Sequence, residues 1–235
     1  MTFSNKVVKN QVVDIGDLRI KIDQLNQKII SGLKDRSRYP LNLGVFEKEF
    51  YSKMTWFEYR LKKEQDLDSE FGRFLYYDQQ PFLFSKRELS PSKINDPINK
   101  GLKPVELDLS KKILSLYKET LVNLCENKED VSTYGETVKL DVENILTLNE
   151  RNVGLGEQVA AYKISTEPNL LDLKTAKEVR QKLVKPQREV DVITKAANIS
   201  EKYGIENIDF MKKFAKDLIE ITLDAEVHFI LNSKK

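Results

Sequence analysis

Apolar side chains recur along this chain at spacings of three and four residues, which is typical of amphipathic helices. In the first stretch, Asp14 or Asp17 could begin a helix and Pro40 bounds its end. The apolar stripe of that helix consists of Leu18, Ile22, Leu25, Ile29 and Leu33. No segment shows a convincing strand alternation or a short-period repeat. The pattern therefore predicts an all-α fold, a single-domain helical bundle over residues 1–235.

Further stretches with the same period predict the other helices. They cover roughly 53–65, 109–125, the segment after Gly135 through Ala160, 171–183, 186–204 and 207–231. Pro186 suits the first position of a helix, where its missing N–H costs nothing. Gly204 is expected to close that helix. The prolines at positions 81, 91, 97 and 104 break the helical pattern, so a long connecting loop is expected at 76–108.

Charge and composition exclude several classes of protein. The formal net charge is +2, from 39 basic and 37 acidic side chains, so no nucleic-acid partner is expected and an anion would have to be bound locally. No apolar run suits a membrane span or a signal peptide. With Cys125 and His228 as the only residues of their kinds, neither a disulfide, a metal site nor a Cys–His pair is expected. A cytoplasmic location is predicted.

Charged residues beside the apolar faces are the informative ones. Arg19 follows Leu18 in the first helix, Lys163 ends an apolar stretch, and Glu189 lies in the first turn after Pro186. Thr222 and Glu226 are four residues apart, so they lie on one face of the last helix. Taken singly, each of these residues is more often a solvated charge than part of a site.

Two other features have an ordinary interpretation. Gly154 and Gly156 have the spacing of a phosphate-binding loop, but no strand precedes them, and an irregularity in the helix is the better interpretation. Cys125 is expected to be a small core residue, and His228 a partly exposed helix residue.

The ordered set of these residues resembles the eukaryotic, yeast-type branch of the all-helical chorismate mutases. The segments that carry the resemblance are Leu18–Asp23, Ile29–Ile30, Asp35–Asn42, Leu140–Glu143, Leu148 with Arg151, Val159–Lys163, Glu189, Tyr203–Gly204, and Ile221–Thr222 with Glu226. No single motif among them is strong, but they occur in the family order over nearly the whole chain. The resemblance implies conversion of chorismate to prephenate, with each chain of a homodimer carrying a complete site.

The resemblance also assigns roles to residues of this sequence. Arg19 and Arg151 would hold the two substrate carboxylates, and Lys163 would lie near the ether oxygen. Glu189 would accept the ring hydroxyl. Thr222 and Glu226 would form the last-helix pair, with Glu226 facing the ether oxygen.

This sequence departs from the family in two places near the site. One more residue separates Arg151 from Lys163 than the family usually has, which would turn a regular helix by about 100°. A bulge near Gly154 and Gly156 could absorb it. Lys185 stands where the family often has Asn or Asp beside the substrate; it either adds positive charge to the site or points away.

The implied reaction is a unimolecular [3,3] rearrangement that needs no nucleophile, metal or cofactor. It needs a dianion held in a chair-like geometry and stabilisation of charge at the breaking ether bond. A paralogue with weakened or lost catalysis and a helical interaction protein remain as alternative interpretations.

The family's amino-acid effector site has a glycine–serine turn and a nearby threonine. Here Gly135 is kept, but Glu136 stands at the serine position and Lys139 at the threonine position. Glu136 could repel a carboxylate, and Lys139 could pair with it. Thr137 could instead restore the missing hydroxyl. We expect regulation by tyrosine or tryptophan to be weak or absent.

Overall fold

A computed structural model describes residues 14–75, 79–93 and 107–233. Helices dominate these ranges and pack as a bundle, so the predicted all-α architecture is confirmed. In chain order they are α1 (Ile15–Arg36), α2 (Gly44–Glu47), α3 (Trp56–Glu70), α4 (Ser110–Leu124), α5 (Tyr134–Asn149), α6 (Leu155–Thr166), α7 (Ala176–Leu183), α8 (Pro186–Lys202) and α9 (Ile208–Asn232). None of the described helices is both long and apolar enough to cross a membrane.

Side-chain caps explain where several helices begin. Asp14 accepts a hydrogen bond from the Gly16 N–H at the start of α1, and Asn207 accepts one from Phe210 at the start of α9. Thr55 forms a capping box with Glu58. Because Thr55 ends the preceding segment, α3 begins at Trp56 and not at position 53 as the apolar period predicted.

The structure corrects two further predictions. A two-stranded antiparallel hairpin, β1 (Glu49–Tyr51) with β2 (Met54–Thr55), was not expected from the pattern. The helix predicted over 171–183 is divided. Residues Pro168–Asp172 form a 3-10 turn, and α7 starts after the capping residue Thr175.

The predicted loop at 76–108 lies partly outside the described residues. Of this loop, 79–93 and 107–108 are described, and their one helical element is a single 3-10 turn, Lys86–Glu88. Phe82 within it is fully buried, and its backbone N–H and C=O both bond to the buried amide of Gln65. The described part of the loop is therefore packed against the bundle.

A buried ionic network joins α1 to α5. The Arg36 guanidinium is inaccessible to solvent and donates from Nε to Asp141 at 2.7 Å. Its other nitrogens donate to the carbonyls of Pro40 and Leu41, both at 2.8 Å. The Tyr117 hydroxyl donates to the same oxygen of Asp141 at 2.7 Å. These bonds hold the end of α1 against the bundle, and α1 carries part of the candidate site.

Cys125 contacts this network. It ends α4, is half-buried, and its Sγ lies 3.6 Å from Nη1 of Arg36. Burial raises the pKa of the thiol to about 11, so the reactive thiolate is scarce at neutral pH. This agrees with the packing role predicted for Cys125, although burial is partial.

Helices α8 and α9 form an antiparallel hairpin. Gly204 has a φ of +68° in the connection, a conformation that favours glycine, and so it ends the helix as predicted. The short turn fixes the register of the two helices, and residues near the start of α8 lie level with the second half of α9. The candidate site is built at that level.

Candidate active site

A single helical path carries two of the predicted cations. Between α5 and α6 the backbone stays helical but widens into a π-helical segment, Glu150–Gly154. A π turn accommodates one extra residue within an α-helix. The irregularity predicted near Gly154 is therefore present, and it lies between Arg151 and Lys163 where the extra residue had to be absorbed.

Arg151 is directed into the bundle by neutral partners. Its side chain is 5% exposed. Nε donates to Asn26 of α1 at 3.0 Å, and Nη1 donates to Asn152 at 3.0 Å and to the Leu218 carbonyl at 3.2 Å. Nη1 also donates to the hydroxyl of Thr222 on α9. Arg151 is thus preorganised without forming a direct ion pair within the described residues.

Lys163 lies one helical stretch further on and faces the same helix, α9. Its ammonium donates to Oε2 of Glu226 at 2.6 Å. Glu226 is 6% exposed. Thr222, one turn earlier on α9, accepts the hydrogen bond from Arg151. The extra residue therefore does not separate the two cations, because both face the Thr222–Glu226 pair.

Burial controls protonation in this cluster. Desolvation raises the pKa of Glu226, while the nearby charges of Lys163, Arg188 and Arg151 act in the opposite direction. Desolvation lowers the pKa of the Arg151 guanidinium to about 10, and the charge of Glu226 opposes this. Arg151 stays charged at neutral pH, and Glu226 is closer to neutrality than an exposed glutamate.

A close helix–helix approach brings these groups together. An ideal Cβ built on Gly156 would lie 2.9 Å from Cβ of Ala225 and 3.4 Å from the carbonyl oxygen of Thr222. Only glycine therefore permits the present distance between α6 and α9. This distance sets the separation of Lys163 from Glu226.

A small cleft opens beside Arg151 between α1, α8 and α9. Its walls are apolar except at Arg151 and Asn26, and comprise Ile29 and Ile30 of α1, Val192 and Ala196 of α8, and Phe214, Ala215 and Leu218 of α9. The polar cluster thus borders a small apolar recess.

The remaining predicted residues do not join this cluster within the described chain. Arg19 is exposed on α1, seven residues before Asn26 and hence on the same helical side. Glu189 is half-buried in the first turn of α8. Lys185 is exposed and precedes α8 without capping it. Within the described chain, no hydrogen bond or ion pair links these three side chains to Arg151, Lys163 or Glu226.

Two residues that hold Arg151 were missed by the sequence analysis. Asn26 and Asn152 accept its hydrogen bonds through their amide oxygens. Asn152 Oδ1 also lies 3.0 Å from the Thr222 hydroxyl. The available signal for Asn26 was its position, two turns after Arg19 on the same side of α1.

Two curated proteins resemble this chain in sequence. The chloroplastic chorismate mutase 1 of Arabidopsis thaliana is 24% identical over 184 residues, and chorismate mutase 2 of Petunia hybrida is 27% identical over 155 residues. These stretches cover 72% and 62% of this chain. They cover 51% and 57% of the relatives, so the chain spans little more than half their length. No protein-family model matches it.

Solved structures match the fold of this chain over nearly its whole length. The Candida albicans chorismate mutase Aro7p in complex with L-Trp has a TM-score of 0.82 at 20% identity, covering 95% of this chain and 92% of that one. The chloroplast chorismate mutase of Zea mays gives 0.79 at 16% identity, covering 95% and 96%. AtCM1 with tyrosine bound in its allosteric site gives 0.83 at 19% identity, covering 97% and 99%.

These matches define the class of the fold. The chain has the all-helical fold of the eukaryotic chorismate mutases, including the yeast-type enzyme, as its sequence predicted.

Proposed function

We propose that this protein is a chorismate mutase, which rearranges chorismate to prephenate. The observation that carries the proposal is the contact of two predicted cations with the last helix. Arg151 and Lys163 from one helical path face Thr222 and Glu226 of α9. The sequence relatives and the solved structures with the same fold support this activity, because they are chorismate mutases by name.

The chemistry needs positioning and electrostatic stabilisation more than reactive groups. Arg151 and Arg19 bind the two carboxylates of the substrate, since a guanidinium donates two parallel hydrogen bonds to a carboxylate. Lys163 stabilises the negative charge that develops on the ether oxygen as the C–O bond breaks. Glu189, near the positive end of α8, accepts the hydrogen bond of the ring hydroxyl. The rearrangement exchanges no atoms or electrons with a cofactor.

Glu226 acts as a neutral donor to the ether oxygen in this proposal. In the free protein it receives the Lys163 ammonium at 2.6 Å. A bound dianion competes for that ammonium and excludes water, and both effects raise the pKa of Glu226 further. The neutral acid can then donate where charge develops.

The main argument for an inactive paralogue does not hold. That interpretation depended on the extra residue turning one cation away. The π-helical segment absorbs the residue, and Arg151 and Lys163 both face α9. Catalysis is therefore the better-supported function.

Turnover provides the direct test. Purified protein with a chelator and no added nucleotide should remove the ultraviolet absorbance of chorismate, with prephenate as the product. Glu226→Ala protein prepared in the same way controls for a contaminating mutase. No turnover by the wild-type protein, or equal turnover by the variant, would overturn the proposal.

Weak or absent control by aromatic amino acids is part of the proposal. Lys139 lies 3.9 Å from Glu143 and does not pair with Glu136, contrary to the pairing suggested from sequence. Thr137 is buried and accepts from the Asn42 amide at 3.0 Å, which argues against its replacing the family hydroxyl. Substrate-saturation curves with and without millimolar tyrosine or tryptophan should superimpose. A several-fold shift in half-saturation would contradict this.

Assembly as a homodimer in the cytoplasm completes the proposal. Tyr51, Leu67 and Phe71 are 61%, 55% and 73% exposed, which is apolar surface that a second copy could cover. A single cysteine suits a reducing compartment. Light scattering of the purified protein gives the mass, and a monomer at micromolar concentration would exclude the dimer.

A further inference from the structure

One face of α8 leads from the apolar cleft to the polar cluster. Val192 and Ala196 line the cleft opposite Leu218 and Phe214 of α9. Arg188 is one turn before Val192 on the same face, because residues four apart in a helix are superposed. In the antiparallel register of α8 and α9, that turn lies level with Thr222 and Glu226.

Arg188 is half-buried there but has no bonding partner. Within residues 14–75, 79–93 and 107–233 it forms no hydrogen bond and no salt bridge. The other buried or half-buried arginines are engaged: Arg36 with Asp141, Arg151 with Thr222, and Arg180 with Glu220 and Asp224. A half-buried guanidinium that no acceptor of the described chain engages is suited to donate to an anion.

We propose that Arg188 is a further substrate-binding residue, which donates to one of the two carboxylates of the substrate at the mouth of the cleft. This inference rests on the proposed function and adds a cation that the resemblance did not supply.

The electrostatics agree with the geometry. The positive charge of Arg188 acts on the buried carboxylate of Glu226, as the charges of Lys163 and Arg151 do. With Arg188 included, the cations of the site outnumber its carboxylates by at least two, which favours a dianionic ligand. The other cations are Arg19, Arg151 and Lys163, and the carboxylates are Glu189 and Glu226.

If Arg188 only binds the substrate, its removal should change KM and not kcat. Loss of an interaction made equally with substrate and transition state raises KM and leaves kcat unchanged. Arg188→Ala should raise KM about tenfold or more, as expected for one charge-assisted hydrogen bond, with kcat within about twofold. The affinity for prephenate, measured by calorimetry, should fall by a similar factor. Arg188→Lys, which keeps the charge, should recover most of the loss.

Gln187→Ala is the matched control. Gln187 precedes Arg188, is exposed, and bonds to Asp191 within α8, so its kinetics should be those of the wild type. An unchanged KM and prephenate affinity in Arg188→Ala would overturn the inference, as would an equal loss in Gln187→Ala. Absence of turnover by the wild-type protein would instead overturn the proposed function.

Discussion

The Lys163 ammonium on α6 lies 2.6 Å from the Glu226 carboxylate on α9, and Glu226 is almost inaccessible to solvent. From the sequence, Lys163 was expected to lie near the ether oxygen of the substrate, and no partner within the protein was predicted for it. The structure shows that it already neutralises a buried carboxylate of the same site. In the proposed mechanism, substrate binding therefore rearranges an existing ion pair.

Removing the charge of either Lys163 or Arg19 should abolish most activity. Lys163→Ala and Arg19→Ala are each expected to lower kcat/KM by at least about 100-fold, as for loss of a transition-state donor. Lys195→Ala is the control, because Lys195 forms only an exposed pair with Asp23 across α8 and α1. Steady-state kinetics measure the effect, and near-normal kcat/KM in Lys163→Ala or Arg19→Ala would remove that residue from the site.

The two variants should differ in stability. Arg19 is exposed and has no bonded partner in the described chain, so its truncation should leave the free energy of unfolding unchanged. Lys163→Ala leaves Glu226 buried without its donor, which destabilises the folded state above the carboxylate pKa. Urea unfolding at pH 7 should resolve the difference, and equal stability of both variants would argue against the observed pair.

Activity should depend on the protonation of Glu226. Burial raises its pKa, and the neutral form is the proposed donor, so kcat/KM should fall as pH rises through that raised value. Glu226→Gln carries a donor at every pH and should flatten the alkaline fall. Glu220→Gln, an exposed change on the same helix, should keep the wild-type profile. An alkaline limb that persists in Glu226→Gln would reject the donor role.

The contact at Gly156 should be sensitive to one methyl group. Gly156→Ala places a Cβ 2.9 Å from that of Ala225, so α6 and α9 must separate. We expect a loss of about 1–3 kcal/mol in unfolding free energy, typical of overpacking, together with reduced kcat. Gly135→Ala meets no atom within 4 Å and should be neutral or stabilising by about 0.5 kcal/mol. Thermal unfolding of the pair tests this, and equal stability would contradict the close approach.

The helical path from Arg151 to Lys163 should tolerate shortening but not lengthening. Deleting Gly154 restores a regular helix with the family spacing, so Arg151 and Lys163 should still face α9 and kcat/KM should stay within about tenfold. Inserting an alanine after Gln158 turns Lys163 by about 100°, and kcat/KM should fall at least about 100-fold. Activity that survives the insertion but not the deletion would show that the segment does not set the register.

Local signals predicted most of the fold. The period of the apolar residues indicated α1, α4, α8 and α9, because a long amphipathic helix repeats the same signal many times. The β1–β2 hairpin escaped detection because strands of three and two residues contain too few positions to show alternation. The break before α7 depends on the Thr175 cap, a single residue that the apolar pattern does not register.

The site was predictable in its charges and not in their partners. The resemblance indicated Arg151, Lys163 and Glu226, but Asn26 is 125 residues from Arg151 and is brought to it by packing. Arg188 had no distinguishing signal, since an arginine in the first turn of a helix is ordinarily a solvated residue. Its significance depends on the register of α8 against α9.

The wide turn at Glu150–Gly154 makes the proposed activity sensitive to a change that alters no side chain of the site. A π turn can migrate along a helix when substitutions favour another position, and each residue that it passes rotates about the axis. If it moved past Arg151 toward the start of α5, the guanidinium would turn away from Thr222 while the residues of the site and the chain length stayed the same. Substitutions elsewhere in this helix would therefore abolish the proposed activity while every residue of the candidate site stayed the same.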